Sequence, residues 1–200
     1  LLSDMANFGA MNEVYGKLYN NALNGNPDCG GLISYNYISG EPVTGLAEGR
    51  PLFVRSANDK FNLANFMRAH LYASVGVLKI GNDILFNEEK IKVDRITGHG
   101  GLFKTKGVGQ RVLAAAINSP ISVMETAGEG GAWGIALLAS YLVNNNDKLN
   151  LADYLDTVVF AGDAGVEIAP TPEDVEGFNV YIENYKAGLA IEEAAVKAKK

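Results

Sequence analysis

The residues whose type and spacing suggest chemistry are glycines. Gly98-His99-Gly100-Gly101 and Gly128-Glu129-Gly130-Gly131, the second followed by Gly134, each stand between an apolar β-like run and a helix-like run. Glycine has no Cβ to hold a ligand away and reaches positive φ without strain, so backbone N–H groups in such a turn can approach a phosphate or a flat base. Two turns of this kind at one sheet edge would make two walls of a nucleotide site.

Two familiar phosphate motifs are close by eye and fail in detail. Gly98 to Thr105 reads G-H-G-G-L-F-K-T, one residue from the phosphate loop G-x-x-x-x-G-K-T. Phe103 stands where that loop needs a glycine to curl under a phosphate, and its ring would block the curl. Gly128 to Gly134 echoes the dinucleotide fingerprint G-x-G-x-x-G, but the third glycine is displaced by one position. Where an acidic residue should grip a ribose about twenty residues later, the chain has Asn144-Asn145-Asn146-Asp147 in an evident loop. Tight turns and close helix packing are the plain alternative for either cluster alone.

Other polar residues are open to two readings. Lys104 and Lys106 either touch phosphate or are solvated loop lysines. Glu129 either bonds a base or ribose or caps a helix. His99 lies under a nucleotide or fills a turn, and His70 falls on a long helix as a packing or surface residue. Glu41 has no paired carboxylate or histidine nearby in sequence, so it is assigned no catalytic role. Trp133, Tyr181 and Tyr185 occur at core spacing. No Asp, Glu, His and Cys cluster has metal-ligand spacing, so a Mg²⁺ ion would arrive with a nucleotide.

Elements that would position these turns follow from hydrophobic period. The spacing of Val14, Leu18, Ala22 and Leu23 predicts a helix halted by Asn24-Gly25-Asn26-Pro27. Gly31 to Tyr35 and Leu52 to Val54 read as short strands around a Ser39-Gly40-Glu41-Pro42 loop. A long helix is expected from Phe61 through Leu78, ended by Gly81-Asn82-Asp83. Ile91 to Thr97 alternates as a strand before the first glycine turn, and Val108 to Ile117 is helical after it. Ile121 to Met124 is a strand before the second turn, with Trp133, Leu137 and Tyr141 on one helical face beyond. Leu149 to Phe160 reads as helix then strand, and Gly162 to Gly165 as a turn. Thr171, Pro172 and Asp174 signpost the last helix as cap, first position and capping partner. Phe178, Tyr181, Ile182, Tyr185 and Leu189 form its buried stripe.

Two hundred residues with 48% hydrophobic content are enough for one sizeable domain or half of a larger protein. A net charge of −6 argues against duplex nucleic acid as a partner. One cysteine, Cys29, excludes an internal disulfide and suits a cytoplasmic setting. There is no apolar run of membrane-spanning length and no signal-peptide pattern. The start at Leu1-Leu2-Ser3-Asp4, without methionine, suggests a fragment.

In order along the chain, these pieces resemble the C-terminal domain of the FGGY carbohydrate kinases, particularly the D-xylulose kinase branch. Gly31-Leu32-Ile33-Ser34-Tyr35-Asn36-Tyr37-Ile38-Ser39-Gly40-Glu41 looks like the family's G-L-x-F-x-P-Y-L-S-G-E. The helix from Asn62 to Gly76 falls where the family places a long helix. Ile96-Thr97-Gly98-His99-Gly100-Gly101 is similar to its ATP-contacting T-G-G-G segment, with Ala114 to Ile121 resembling the A-D-x-x-G-x-P-V continuation. Glu125-Thr126-Ala127-Gly128-Glu129-Gly130-Gly131-Ala132 resembles its E-x-x-A-x-G-A-A helix start. The chain departs at Pro51-Leu52, in the longer turn from Phe103 to Lys106, and at Asn118, which replaces a usual glycine.

The resemblance implies an α/β, actin-like (ribonuclease H-like) domain with a mixed sheet flanked by helices, spanning 1–200. It implies the nucleotide-binding half of an ATP-dependent sugar kinase, acting on D-xylulose or a related ketopentose. It also implies ATP with Mg²⁺ held by Gly98, His99, Gly100, Gly101, Gly128, Glu129, Gly130 and Gly131, with the catalytic aspartate and the sugar-binding residues in an N-terminal domain. The partners implied are that domain and a small sugar, with no nucleic acid and no membrane, and an exposed apolar patch could pair two copies as a homodimer. Isolated, this half is expected to be inactive. The alternatives are a non-catalytic actin-like scaffold and, less well matched, a dinucleotide-dependent oxidoreductase.

Overall fold

A computed structural model of the chain describes residues 11–93, 96–161 and 165–198, without the side chains of Thr126 and Glu129. Helix α1 (Met11–Ala22) ends where expected, as the N–H groups of Leu23, Asn24 and Gly25 bond back onto Asn20, Asn21 and Ala22. Strand β1 (Ile33–Tyr35) pairs antiparallel with β2 (Leu52–Val54), Ser34 opposite Phe53. In the loop between them Glu41 Oε1 accepts the Val43 N–H at 2.9 Å and caps a short turn over Pro42–Thr44.

Helix α2 (Leu63–Asp83) begins on Asn62, whose side chain accepts the Asn65 N–H at 2.9 Å. Its expected end at Gly81-Asn82-Asp83 is overrun: the chain continues as a π turn over Ile84–Glu88, with the Glu89 N–H bonded to the Ile84 carbonyl at 3.0 Å. Asp83 explains this, because its carboxylate receives both Lys79 at 2.5 Å and Asn87 at 3.3 Å, one turn before and one turn after.

Strand β3 is only Ile96–Thr97, shorter than the expected run from Ile91; Asp94 and Arg95 lie outside the described residues. It runs parallel to β4 (Ile121–Val123), and β4 pairs antiparallel with β5 (Val166–Ile168), giving a three-stranded mixed sheet. Three residues of β5 were too few to show a period. Helix α3 (Val108–Ile117) closes on Asn118, which caps it at φ 48. Its buried Gln110 donates to the carbonyls of Ile121 at 3.0 Å and Val166 at 2.8 Å, so one side chain fixes α3 on β4 and β5 together.

Helix α4 (Gly130–Asn144) carries no charged side chain, and Ile135, Leu138, Leu142 and Val143 on it are exposed. The segment expected as helix then strand is helical throughout, as α5 (Leu151–Tyr154) followed by a π turn over Leu155–Val159. Tertiary packing overrides its β-branched Thr157-Val158-Val159: Asn150 caps the start, and buried Tyr154 meets Tyr141 edge to face with ring centres 5.3 Å apart. Of the turn expected over Gly162 to Gly165, residues 162–164 lie outside the described residues.

Helix α6 (Pro172–Ala187) starts on Thr171, whose hydroxyl accepts the Asp174 N–H at 3.2 Å; α7 (Leu189–Ala198) follows after Gly188. The core gathers aromatic rings from β1, α2 and α6. Tyr35 meets Tyr185 at 4.7 Å and Tyr72 meets Phe178 at 4.6 Å between centres, all four fully buried. Each contributes about 1.5–3 kcal/mol by burial. The Tyr35 and Tyr185 hydroxyls are placed as well, Tyr35 Oη donating to the Tyr185 carbonyl at 2.7 Å and Tyr185 Oη to Tyr37 Oη at 2.6 Å. No helix among the described residues is long and apolar enough to cross a membrane.

Candidate nucleotide site

The parallel pairing of β3 and β4 brings both glycine turns to the same end of the sheet. Gly98 leaves β3 with its N–H on the Ser122 carbonyl at 2.9 Å, one residue beyond the last strand pair. Gly100 then takes φ 106 and ψ −176, a backbone state essentially reserved for glycine. From there its N–H donates to the Ala127 carbonyl in the second turn at 2.7 Å, and its own carbonyl accepts Phe103 N–H at 3.1 Å. The two turns are thus joined by a main-chain hydrogen bond. Close approach depends on missing side chains: a Cβ on Gly130 would sit 3.2 Å from His99 Cβ, and one on Gly128 3.1 Å from Lys104 Cγ.

A cavity of about 540 Å³ opens between the turns, with His99 and Gly100 on one wall and Gly130 and Gly131 on the other. Trp133, Gly134, Leu137, Leu138, Leu151, Leu155 and Phe160 complete it. The Trp133 and Phe160 rings are 5.6 Å apart. Flat apolar walls of this kind suit an aromatic base. On its other side the first turn meets a second cavity of about 400 Å³, lined by Asn12, Tyr15, Tyr19, Gly101, Lys104 and Thr105.

The eight glycine-turn residues therefore divide. His99, Gly100, Gly130 and Gly131 line the larger cavity and Gly101 the smaller. Gly98 is buried under the Phe103 ring, which occupies the space a Cβ would need, and it lines neither. Gly128 lies against the Lys104 stem, and the side chain of Glu129 lies outside the described residues. Sequence spacing assigned Trp133 to packing; half-buried, it lines the cavity instead, while Tyr181 and Tyr185 are core residues. Its place one turn into the helix after the second glycine cluster was a usable signal. Phe160 offered none, because only the helical course of α5 carries it there.

His70 is a packing residue, with Phe66 and Phe53 rings at 4.5 and 5.9 Å and a hydrogen bond between its Nδ1 and Ser34 Oγ at 3.0 Å. Burial holds its pKa below the ordinary value. Among the described residues no group of three or more His, Cys, Asp or Glu side chains is placed to hold a metal ion.

A sequence model of the C-terminal domain of the FGGY family of carbohydrate kinases matches residues 6–143. The chain belongs to this family. Its fold is shared with solved FGGY kinases at low identity. The xylulose kinase from Rhodospirillum rubrum superposes with a TM-score of 0.59 at 17% identity, over 91% of this chain and 34% of that one. Ligand-bound xylulose kinase from Lactobacillus acidophilus gives 0.63 at 21%, over 88% and 35%. Glycerol kinase from Plasmodium falciparum, solved with ADP, gives 0.62 at 17%, over 88% and 33%. The architecture of this FGGY domain is accordingly the actin-like α/β fold, a mixed sheet flanked by helices. The chain spans about a third of the length of these kinases. Comparison with curated proteins finds no match.

Proposed function

We propose that this chain is the nucleotide-binding domain, over 1–200, of an ATP-dependent carbohydrate kinase that phosphorylates a sugar hydroxyl. The observation that carries the reading is the Gly100 to Ala127 hydrogen bond, which makes one cavity out of two glycine turns. In this reading the adenine lies against Trp133 and Phe160, and the ribose and phosphates follow the Gly100-Gly101 backbone. Phosphoryl transfer is mostly positioning and charge neutralisation. Mg²⁺ enters with ATP, and its ligands from protein lie elsewhere in the kinase. The base that takes the proton from the sugar also belongs to the N-terminal domain, so this chain alone transfers no phosphate. D-xylulose or a related ketopentose is the proposed acceptor, supported by the motif order from Gly31 to Ala132 and by xylulose kinases among the structural neighbours. A cytoplasmic setting suits this substrate. The exposed apolar side of α4 is the surface we assign to the N-terminal domain, or to a second copy when that domain is absent.

Trp133 is the single tryptophan of the chain, which makes its emission a direct reporter. Titration with Mg-ATP should change Trp133 fluorescence saturably, and Gly131→Val should weaken the response by placing a branched side chain on the cavity wall. Absence of ATP binding by calorimetry would favour the scaffold reading, and saturable NADH binding an oxidoreductase. The Tyr15 and Tyr19 rings beside Gly101 support a second seat for the base, in the smaller cavity. ATP binding that leaves Trp133 emission unchanged and is lost in Tyr15→Ala would place it there.

A further inference from the structure

We propose that the far end of α3 carries a separate binding site for a small neutral polyhydroxylated molecule, a polyol or a monosaccharide. Three helices meet there: the end of α2 with its π turn, the left-handed cap of α3 at Asn118, and the first two turns of α6. They enclose a cavity of about 280 Å³ whose polar lining is Lys79, Asn82, Asp83, Asn87, Asn118 and Asn179, with Phe86 as an apolar surface. That volume accommodates one molecule of monosaccharide size. Helix α3 starts just after the first glycine turn and ends at this cavity, ten residues on. Helix α3 itself is about 15 Å long at about 1.5 Å per residue, and the two cavities share no lining residue.

The lining selects the ligand class. An anion is disfavoured because the Lys79 ammonium in the lining is already engaged by the Asp83 carboxylate and the end of α3 is negative. A cation meets one carboxylate already paired with Lys79 at 2.5 Å. A purely apolar molecule would strip water from several amides without replacing its hydrogen bonds. Neutral hydroxyls fit, because each asparagine amide offers a carbonyl acceptor and two N–H donors, matching groups that both give and accept. The side chains of Asn82, Asn118 and Asn179 make no hydrogen bond among the described residues, and Asp83 is engaged there only through Oδ1, so these groups are available. The π turn swings Phe86 and Asn87 beside Asp83, and Asn118 at φ 48 holds the rim.

The test is a titration of the full chain with xylitol and with D-xylose, followed by the backbone and side-chain amide signals in ¹H–¹⁵N NMR. The expected result is a saturable shift of the Asn82, Asn87, Asn118 and Asn179 amides with half-saturation in the millimolar range. In the double variant Asn118→Gly with Asn179→Ala, affinity should fall at least about tenfold, as loss of two direct hydrogen bonds implies. Glycine tolerates the left-handed cap and Asn179 is exposed, so the variant keeps its fold, checked by an unchanged far-UV spectrum and an unchanged response to ATP. No saturable shift, an affinity unaltered in the double variant, shifts confined to the glycine turns, or an equal response to inorganic phosphate would each overturn the proposal.

Discussion

The amide of Gly100 donates to the carbonyl of Ala127 across 2.7 Å, and this bond holds two turns 27 residues apart in sequence as the walls of one cavity. Its cost is conformational. At φ 106 and ψ −176 Gly100 occupies a region closed to L side chains, although nothing lies within 4 Å of a Cβ placed there.

Gly100→Ala is therefore expected to destabilise the domain by about 1–3 kcal/mol through backbone strain alone and to weaken ATP binding with it. Gly101→Ala is the control, since its Cβ also meets nothing within 4 Å and its φ is not positive. It should leave urea unfolding unchanged within about 0.5 kcal/mol. Denaturation midpoints and Trp133 titrations on both variants separate strain from ligand contact.

Arg68 on α2 is buried and reaches Asp174 on α6, the Tyr72 hydroxyl at 2.9 Å and the Gly25 carbonyl at 3.1 Å. Burial alone would lower its pKa, but the Tyr72 hydroxyl and the Asp174 carboxylate outweigh that and hold it above the ordinary value. Asp174→Asn keeps the shape and removes the charge. A cost of about 3 kcal/mol is expected, the low end for stripping a buried charge of its partner, because a quarter of the Asp174 side chain still reaches water. Guanidinium unfolding of the variant checks it, and a loss under about 1 kcal/mol would show that water replaces the carboxylate.

His70 gives the domain a pH response with a defined sign. Its folded pKa is depressed below the ordinary 6.5 by desolvation, so the fold prefers the neutral ring. The stabilisation is complete above the unfolded value and is lost as pH falls through the folded one. Urea midpoints of the wild type should decline as pH drops below about 6.5, and His70→Gln should remove that part of the slope while leaving any carboxylate-driven loss at lower pH. Parallel curves for the two proteins through that window would assign the slope to other groups.

What the sequence made legible was local chemistry. Thr171, Pro172 and Asp174 mark the start of α6 because capping is decided within one turn, and the glycine turns were visible because few other residues make such backbone. Elements set by distant partners were not legible. β5 exists because β4 offers an edge and Gln110 bonds the Val166 carbonyl. The segment after Leu151 is helical because Tyr154 finds Tyr141 and Ser140, not because its residues favour helix. The site follows the same division. Gly100 and Gly130 announced themselves, whereas the apolar side of the cavity required Trp133 and Phe160 to be brought together across 27 residues of chain.

Gly177 tests how closely α6 seats on the rest of the core. Inside an exposed helix, glycine to alanine is worth up to about 1 kcal/mol of added stability. At this position a Cβ would collide with the backbone and ring of Pro27, in the turn that ends α1 and leads to β1. Neither side can yield readily, because Asn65 of α2 holds that turn by accepting the Asn26 N–H at 2.7 Å and Arg68 anchors α6 from the same helix. Gly177→Ala should thus reverse the usual sign and destabilise by about 1–3 kcal/mol, the range for overpacking a tight contact. Gly16→Ala on α1, where a Cβ meets nothing within 4 Å, should show the ordinary helical gain. Thermal midpoints moving in opposite directions for the two variants would establish that the α6 contact, rather than helix propensity, sets the residue at 177.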